Sequence, residues 1–367
     1  MKKEKVVGVL KKLSKRWFID AFTGMAQGLF VTLIIGTILA QIAKWIGVNA
    51  VGNVVLTTAN MAKILMGAGI GVGIANALKA PKLVIFSAAV AGMLGAWSDK
   101  ILGGTFQFSF LIGTSGLPGN PIGAYVVSLI AIEISLFVAG KTKLDIILVP
   151  FTVLLVSMVA MFAAWPFIKL IVLVGKGIEL ATEVQPFIMG IIIAVSMGIL
   201  LTMPTSSAAI WIAIAATNTS DAMLLAGGAA VCGCACQMVG FAVQSFRENK
   251  WGGLIAQGFG TSMLQIPNIM RKPIIFIPPI VASAIVGPLS TVVFHLRCNA
   301  SGGGMGTSGL VGIFGTIEAS TGVIPNWEIG LGIALLFFVI PTIVCLGLSE
   351  WFRKKGWINK GDMLLEG

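Results

Sequence analysis

The sequence predicts an all-α polytopic membrane protein, with about ten transmembrane helices and two re-entrant hairpins. Three observations predict it. First, 57% of the 367 residues are hydrophobic and only 11% are charged, whereas a soluble domain is usually about a quarter charged. So little charge cannot cover an aqueous exterior, and hydrocarbon is the solvent that suits such a surface. Second, the apolar residues fall into successive runs of about 20 residues, the length that crosses a bilayer as a helix. Third, the net charge of +11 gathers at the ends of the chain and in short loops between the runs. That is the pattern of cytoplasmic loops, not of a nucleic-acid-binding face.

The chain opens on a Lys-rich stretch, residues 1–18. Its Val6, Val7, Val9, Leu10 and Leu13 suit an amphipathic cytoplasmic helix at the membrane interface. A single transmembrane, transporter-like domain is expected over 19–350 and a cytoplasmic tail over 351–367. The first apolar runs are 20–46, 53–78 and 82–97, followed by a Gly-rich loop over 103–121. Then come 122–139, the long run 144–172, and a more polar stretch with Lys176, Glu179 and Glu183. Next are 186–203, the short run 206–216, and 221–246. Segment 251–269 is apolar but rich in Gly, Gln, Ser and Thr. Run 273–294, a second Gly-rich region at 298–324, and run 327–348 complete the order.

Charge sets the topology. With Lys2, Lys3, Lys5, Lys11, Lys12, Lys15 and Arg16 inside, Lys79, Lys82, Lys141 and Lys143 also fall inside. Arg247 with Lys250, and Arg271 with Lys272, must then share the inner side. The segment 251–269 between them therefore enters and leaves on one side as a re-entrant hairpin. By the same alternation 303–324 re-enters from outside, and Arg353, Lys354, Lys355 and Lys360 land inside, so both termini are cytoplasmic. Lys44, Lys169, Lys176 and Arg297 fall outside, against the bias.

Broken, Gly/Pro-interrupted segments at membrane depth are tolerated only where protein or a water-filled cavity surrounds them, and they point to transport sites. Four share a vocabulary: 113–118 with Thr114 and Ser115, 203–207 with Thr205 and Ser206, 260–264 with Thr261 and Ser262, and 306–310 with Thr307 and Ser308. Three of them repeat Gly-Thr-Ser. A Ser or Thr there caps a half-helix and leaves free N–H groups facing a cavity, which suits solute hydroxyls or an anionic group. Helix capping with close small-residue packing accounts for any one of them equally well. Glu318, late in the second hairpin, is an acidic residue at membrane depth, able to accept hydrogen bonds from neighbouring hydroxyls. Gln257, Gln265 and Asn268 on the first hairpin are expected at the solute. Asn60, Asn76, Asn120, Gln237 and Gln244 suit interhelical hydrogen bonds equally.

Lys63 and Glu133 lie deepest within regular runs, at similar depth counted from the outer ends, and a structural ion pair between them is expected. Cys232, Cys234 and Cys236 alternate along a helix, so their thiols point to different faces and do not close on one metal. Gly67, Gly69, Gly71 and Gly73 form two interleaved small-residue patterns for close helix packing. His295, at a span end, suits an interfacial structural role. No catalytic constellation, nucleotide loop or metal motif is expected, and no cofactor.

The motifs 203–208, 237–241, 252–265 and 304–309 carry a family resemblance. The chain resembles the IIC-like membrane components of the bacterial sugar phosphotransferase system, in the divergent subgroup that includes perfringolysin regulator-like proteins. The resemblance runs through nearly the whole chain. It implies a phosphotransferase IIC-like fold in the bacterial plasma membrane, a homodimer, and a sugar site near the second hairpin. There a Gly-Ile-Thr-Glu motif would supply a carboxylate, and 315–318 is a variant with Thr and Ile exchanged. It also implies separate cytoplasmic IIA and IIB proteins as phosphate donors. The expected function is a permease that binds and translocates a small polar, sugar-like solute by alternating access. The alternative is a membrane-embedded ligand sensor without net transport.

Overall fold

The computed structural model describes residues 13–107, 109, 119–181, 184–205, 207–215 and 220–365. Helix follows helix through them, and the one strand-like contact among the described residues is the isolated bridge between Thr321 and Ile324. The chain forms two compact units, Met1–Leu170 and Ile171–Gly367.

The first unit contains α1 (Leu13–Ile46), α2 (Ala50–Ile64), α3 (Met66–Ala77), α4 (Lys82–Ala96), α5 (Pro121–Ser135) and α6 (Asp145–Leu170). Its packing follows from glycine. The two interleaved rows on α3 face different neighbours, as expected. A Cβ on Gly73 would lie 2.2 Å from the Gly24 carbonyl oxygen of α1, and one on Gly69 would lie 2.9 Å from that of Gly28. A Cβ on Gly67 or Gly71 would lie 2.6 Å or 1.9 Å from the carbonyl oxygens of Gly92 and Ala88 in α4. Backbone on backbone is the closest approach two helices can make, and it is how apolar helices associate where burial from water supplies no drive.

The expected pair of Lys63 with Glu133 is not formed. Glu133 Oε1 instead accepts from Arg16 Nε at 2.6 Å and from Trp17 Nε1 at 3.1 Å. Tyr125, also on α5, donates to the Trp17 carbonyl at 2.6 Å. The Lys63 stem lies against α1 twenty residues further on, where a Cβ on Gly36 would meet Lys63 Cγ at 2.8 Å. Twenty residues of helix rise roughly 30 Å, so the two charges sit near opposite ends of α1. Depth counting failed because α5 ends at Ser135, two residues past Glu133, so this carboxylate stands near a helix end beside Arg16.

The second unit contains α7 (Pro186–Thr202), α8 (Ser207–Ala215), α9 (Asp221–Gln244), α10 (Phe246–Ile255), α11 (Ile266–Arg271), α12 (Pro273–Val293), α13 (Val311–Ser320) and α14 (Asn326–Lys354). Its axis is α9, with α7, α12 and α14 packed around it. This helix is apolar all round and built of Gly, Ala and Cys, the composition of a helix with no solvent face. A Cβ on Gly233 would lie 1.9 Å from the Ala194 carbonyl oxygen of α7. Cys234 points toward the Met197 carbonyl, while Cys232 and Cys236 join a different cluster with Val286, Phe337 and Cys345. The alternating thiols therefore fan apart.

Among the described residues five helices, α1, α6, α9, α12 and α14, are long and apolar enough to cross a membrane, and the bent α2–α3 pair makes six. Helices α4, α5 and α7 have 15, 15 and 17 residues, about 22–26 Å of rise. Length and apolarity therefore support five or six crossings of the ten expected.

Arg297 and the C-terminal segment are both engaged. Arg297 holds Asp221 through both carboxylate oxygens, at 2.6 and 2.9 Å. Beyond α14 the chain folds back, burying Ile358 and Met363 in a cluster with Phe241, Ile269, Ile275 and Phe352.

Candidate functional site

The segments 251–269 and 303–324, expected as the first and second hairpins, both break where the Gly-Thr-Ser motifs fall. Helix α10 passes into a π-helical turn over Ala256–Gly260, then Thr261 turns extended with φ −160° and ψ 143°. A 3₁₀ turn over Ser262–Gln265 leads into α11. Thr261 Oγ1 accepts from the Met263 N–H at 3.2 Å, so the hydroxyl caps the restarted helix as the motif predicts. The second break is different. Gly306, Gly309 and Leu310 all lie at φ between 53° and 60°, a left-handed backbone that Leu rarely adopts. Thr307 does not cap α13. Its Oγ1 donates to the Gly258 carbonyl of the first hairpin and lies 3.5 Å from Met238 Sδ.

The two breaks thus meet on one face of α9. Ser262 Oγ is 2.7 Å from Thr202 Oγ1 at the end of α7, and Thr202 Oγ1 is 3.4 Å from Gln237 Oε1 on α9. Ser207 of α8 donates to the Gly304 carbonyl at 2.7 Å. The backbone at Gly303 lies on the Trp211 indole, where a Cβ would approach Nε1 to 2.2 Å. Thr205, buried nearby in sequence, spends its hydroxyl on the Leu200 carbonyl at 2.6 Å.

Polar capacity is left over at this junction. Gln237 Nε2, Ser308 Oγ and Trp211 Nε1 are buried without a hydrogen-bond partner among the described residues. Gln237 and Trp211 are 0% exposed and Ser308 is 2% exposed. An unmet buried donor costs about 1–3 kcal/mol, so three around one loop mark a place equipped to hydrogen-bond something further. From the sequence Gln237 is one membrane-depth amide among several, and Trp211 is not singled out. Gln237 read equally as an interhelical contact, and a Trp in an apolar run carries no signal of its own.

The other expected residues lie apart from this junction. Glu318 is exposed near the end of α13, about 10 Å of helical rise beyond Val311. Its Oε2 accepts from Asn299 Nδ2 at 2.8 Å, and Asn299 Oδ1 accepts from the Gly302 N–H and Ser301 Oγ. Asn299 therefore ties the Glu318 carboxylate to the start of the glycine loop. Gln257, Gln265 and Asn268 form a chain of their own. Gln257 Nε2 donates to Ser245 Oγ at 2.9 Å, Gln265 Nε2 to Gln257 Oε1 at 2.8 Å, and Asn268 Nδ2 to Gln265 Oε1 at 2.8 Å. Their carboxamides are spent on one another and on the backbone. Thr114, Ser115 and Ser206 lie outside the described residues.

A family model described as "Phosphotransferase system, EIIC" matches residues 19–365. The chain belongs to this family. It is thus a multi-pass membrane protein, a membrane transport component of the phosphotransferase system, as the resemblance of its motifs implied. No curated protein and no solved structure matches the chain. Within this EIIC chain, two broken segments converge on the buried α9, irregular backbone enclosed by protein.

Proposed function

We propose that this EIIC protein binds a small polar solute, a sugar or sugar derivative, at the junction of its two Gly-Thr-Ser breaks and moves it across the bilayer by alternating access. The reading rests chiefly on the unspent Gln237 Nε2 and Ser308 Oγ beside Ser262 and Thr307. A sugar presents hydroxyls that both donate and accept, so it can use an amide donor and a hydroxyl at once. Glu318, held by Asn299 at the other end of the glycine loop, supplies a carboxylate at the entrance to the same loop. Thr205 and Thr261 shape the broken segments, and Gln257, Gln265 and Asn268 support the first of them; Thr114, Ser115 and Ser206, outside the described residues, are assigned to the solute by their motifs alone.

In the same reading the segments 251–269 and 303–324 are re-entrant from opposite sides. The shorter helices complete ten spans, both termini are cytoplasmic, and the protein works as a homodimer in the bacterial plasma membrane with separate IIA and IIB proteins. The chain carries a domain over 19–350 flanked by an interfacial helix and a tail. The test is uptake of labelled sugars into proteoliposomes, after a thermal-stability screen has chosen the sugar. Ser262→Ala, Thr307→Ala and Glu318→Gln are each expected to lower uptake at least tenfold. If all three keep full uptake, the site is elsewhere. Binding without flux into vesicles would favour a sensor instead.

A further inference from the structure

The amides of the first hairpin have a partner that nothing in the transport reading requires. Asn249 grips the chain beyond α14 like the edge of a strand: its Nδ2 donates to the Met363 carbonyl and its Oδ1 accepts from the Leu365 N–H, both at 2.8 Å. Gln265 Nε2 donates to the same Met363 carbonyl at 3.0 Å, and Asn268 Nδ2 to the Leu364 carbonyl at 2.9 Å. Lys272 Nζ stands 3.7 Å from Asp362 Oδ2. The side-chain anchors are Ile358 at 2% exposure and Met363 at 0%, both in the buried cluster that holds Ile269 and Phe241.

We propose that residues 357–365 are a latch that holds the first hairpin, and that its release sets the mobility of the segment bearing Thr261 and Ser262. Three features make it a latch and not simply a covered end. Its grip is on backbone atoms, through carboxamides carried by the hairpin and by Asn249 at the root of α10. It turns at glycines, Gly356 just before it at φ 71° and Gly361 within it at φ 97°, conformations that suit a turn able to re-form. And its departure would strip Gln265 and Asn268, which are 0% and 4% exposed, of one acceptor each. The hairpin cannot keep its packed position at no cost once those donors are unmet, so latch and hairpin open together. This goes beyond the solute reading and does not depend on the solute's identity.

Hydrogen–deuterium exchange on the purified full chain tests it without any ligand. Asn249→Asp combined with Asn268→Asp keeps the shapes but sets carboxylates against the carbonyls of Met363 and Leu364. Exchange in 256–271 and in 357–365 is expected to quicken together, about tenfold, the scale of losing one or two hydrogen bonds. Peptides from α9 and α12 should keep wild-type protection. A chain ended after Asp362 removes the three gripped residues and leaves every hairpin carboxamide in place, and it should loosen 256–271 by the same factor. If either folded variant frees the latch while 256–271 exchanges at the wild-type rate, the latch does not hold the hairpin. If the double variant leaves 357–365 itself unchanged, the carboxamides are not what grips it. Loss of uptake with unchanged exchange would indict the transport site and not the latch.

Discussion

Gln237→Leu separates a solute-binding amide from a structural one. In the folded chain Gln237 is 0% exposed, its Nε2 has no partner among the described residues, and its Oε1 has only Thr202 Oγ1 at 3.4 Å. Thr202 is better placed toward Ser262, at 2.7 Å, so Leu at 237 costs little in lost hydrogen bonding. It also relieves the burial of an unmet donor, about 1–3 kcal/mol. The unliganded variant should therefore be as stable as the native chain or more so. Solute binding should move the other way. A neutral hydrogen bond nets about 0.5–1.5 kcal/mol, which is roughly two- to tenfold in Kd. Thermal unfolding of the purified protein across a sugar series measures both. The expected result is an unchanged or raised melting temperature without sugar and a smaller sugar-dependent rise, because that rise tracks the ratio of concentration to Kd. A variant destabilised by more than about 1 kcal/mol without sugar would show that the amide is structurally spent. A variant with the native sugar-dependent rise would show that the solute does not touch it.

Further expectations concern the packing and the ion pairs. Gly73→Val should destabilise the chain by about 1–3 kcal/mol or prevent assembly of α1 on α3, since its first side-chain atom would fall 2.2 Å from the Gly24 carbonyl oxygen; thermal unfolding or the yield of folded protein reads it. Arg353→Met should cost about 3–5 kcal/mol by stranding a buried carboxylate, because Glu248 is 2% exposed and 2.9 Å away. Adding Glu248→Gln should recover much of that loss, and no recovery would mean the pair is not the reason. A double-mutant cycle between Arg16 and Glu133, whose side chains are 32% and 23% exposed, should give a coupling of up to about 1 kcal/mol. The cycle between Lys63 and Glu133 should give none.

What the sequence made legible, and what it did not, follows from the range of the interactions. Breaks at Gly260 and Gly306 were readable because backbone punctuation is local: a Gly-Thr-Ser run disrupts a helix wherever it sits. The two faces of α3 were readable for the same reason, since residues four apart must share a side. The partner of Glu133 was not, because where α5 ends and which cation reaches it are set by packing between helices, which no count along the chain supplies. Nor was the fate of the hairpin amides. Gln265 and Asn268 carry the same signal whether they face a sugar hydroxyl or the carbonyls of Met363 and Leu364, a hundred residues on.

That ambiguity bears on how the site works. A carboxamide donor does not distinguish a peptide carbonyl from a solute oxygen, so the hairpin that carries Ser262 to the junction is gripped by groups chemically fit for solute. Gln237 is the inverse case, a fit donor with nothing yet to grip. Opening the latch would leave Gln265 and Asn268 with one acceptor each, Gln257 Oε1 and Gln265 Oε1, and one N–H unmet, part-way to the condition of Gln237. The free energy of the closed state is then divided between one set of amides that is satisfied and one that is not. Solute arriving at Gln237 and latch leaving Asn249 are opposite changes in the same kind of hydrogen bond. Each is worth about 1 kcal/mol, near enough in size for either to tip the hairpin.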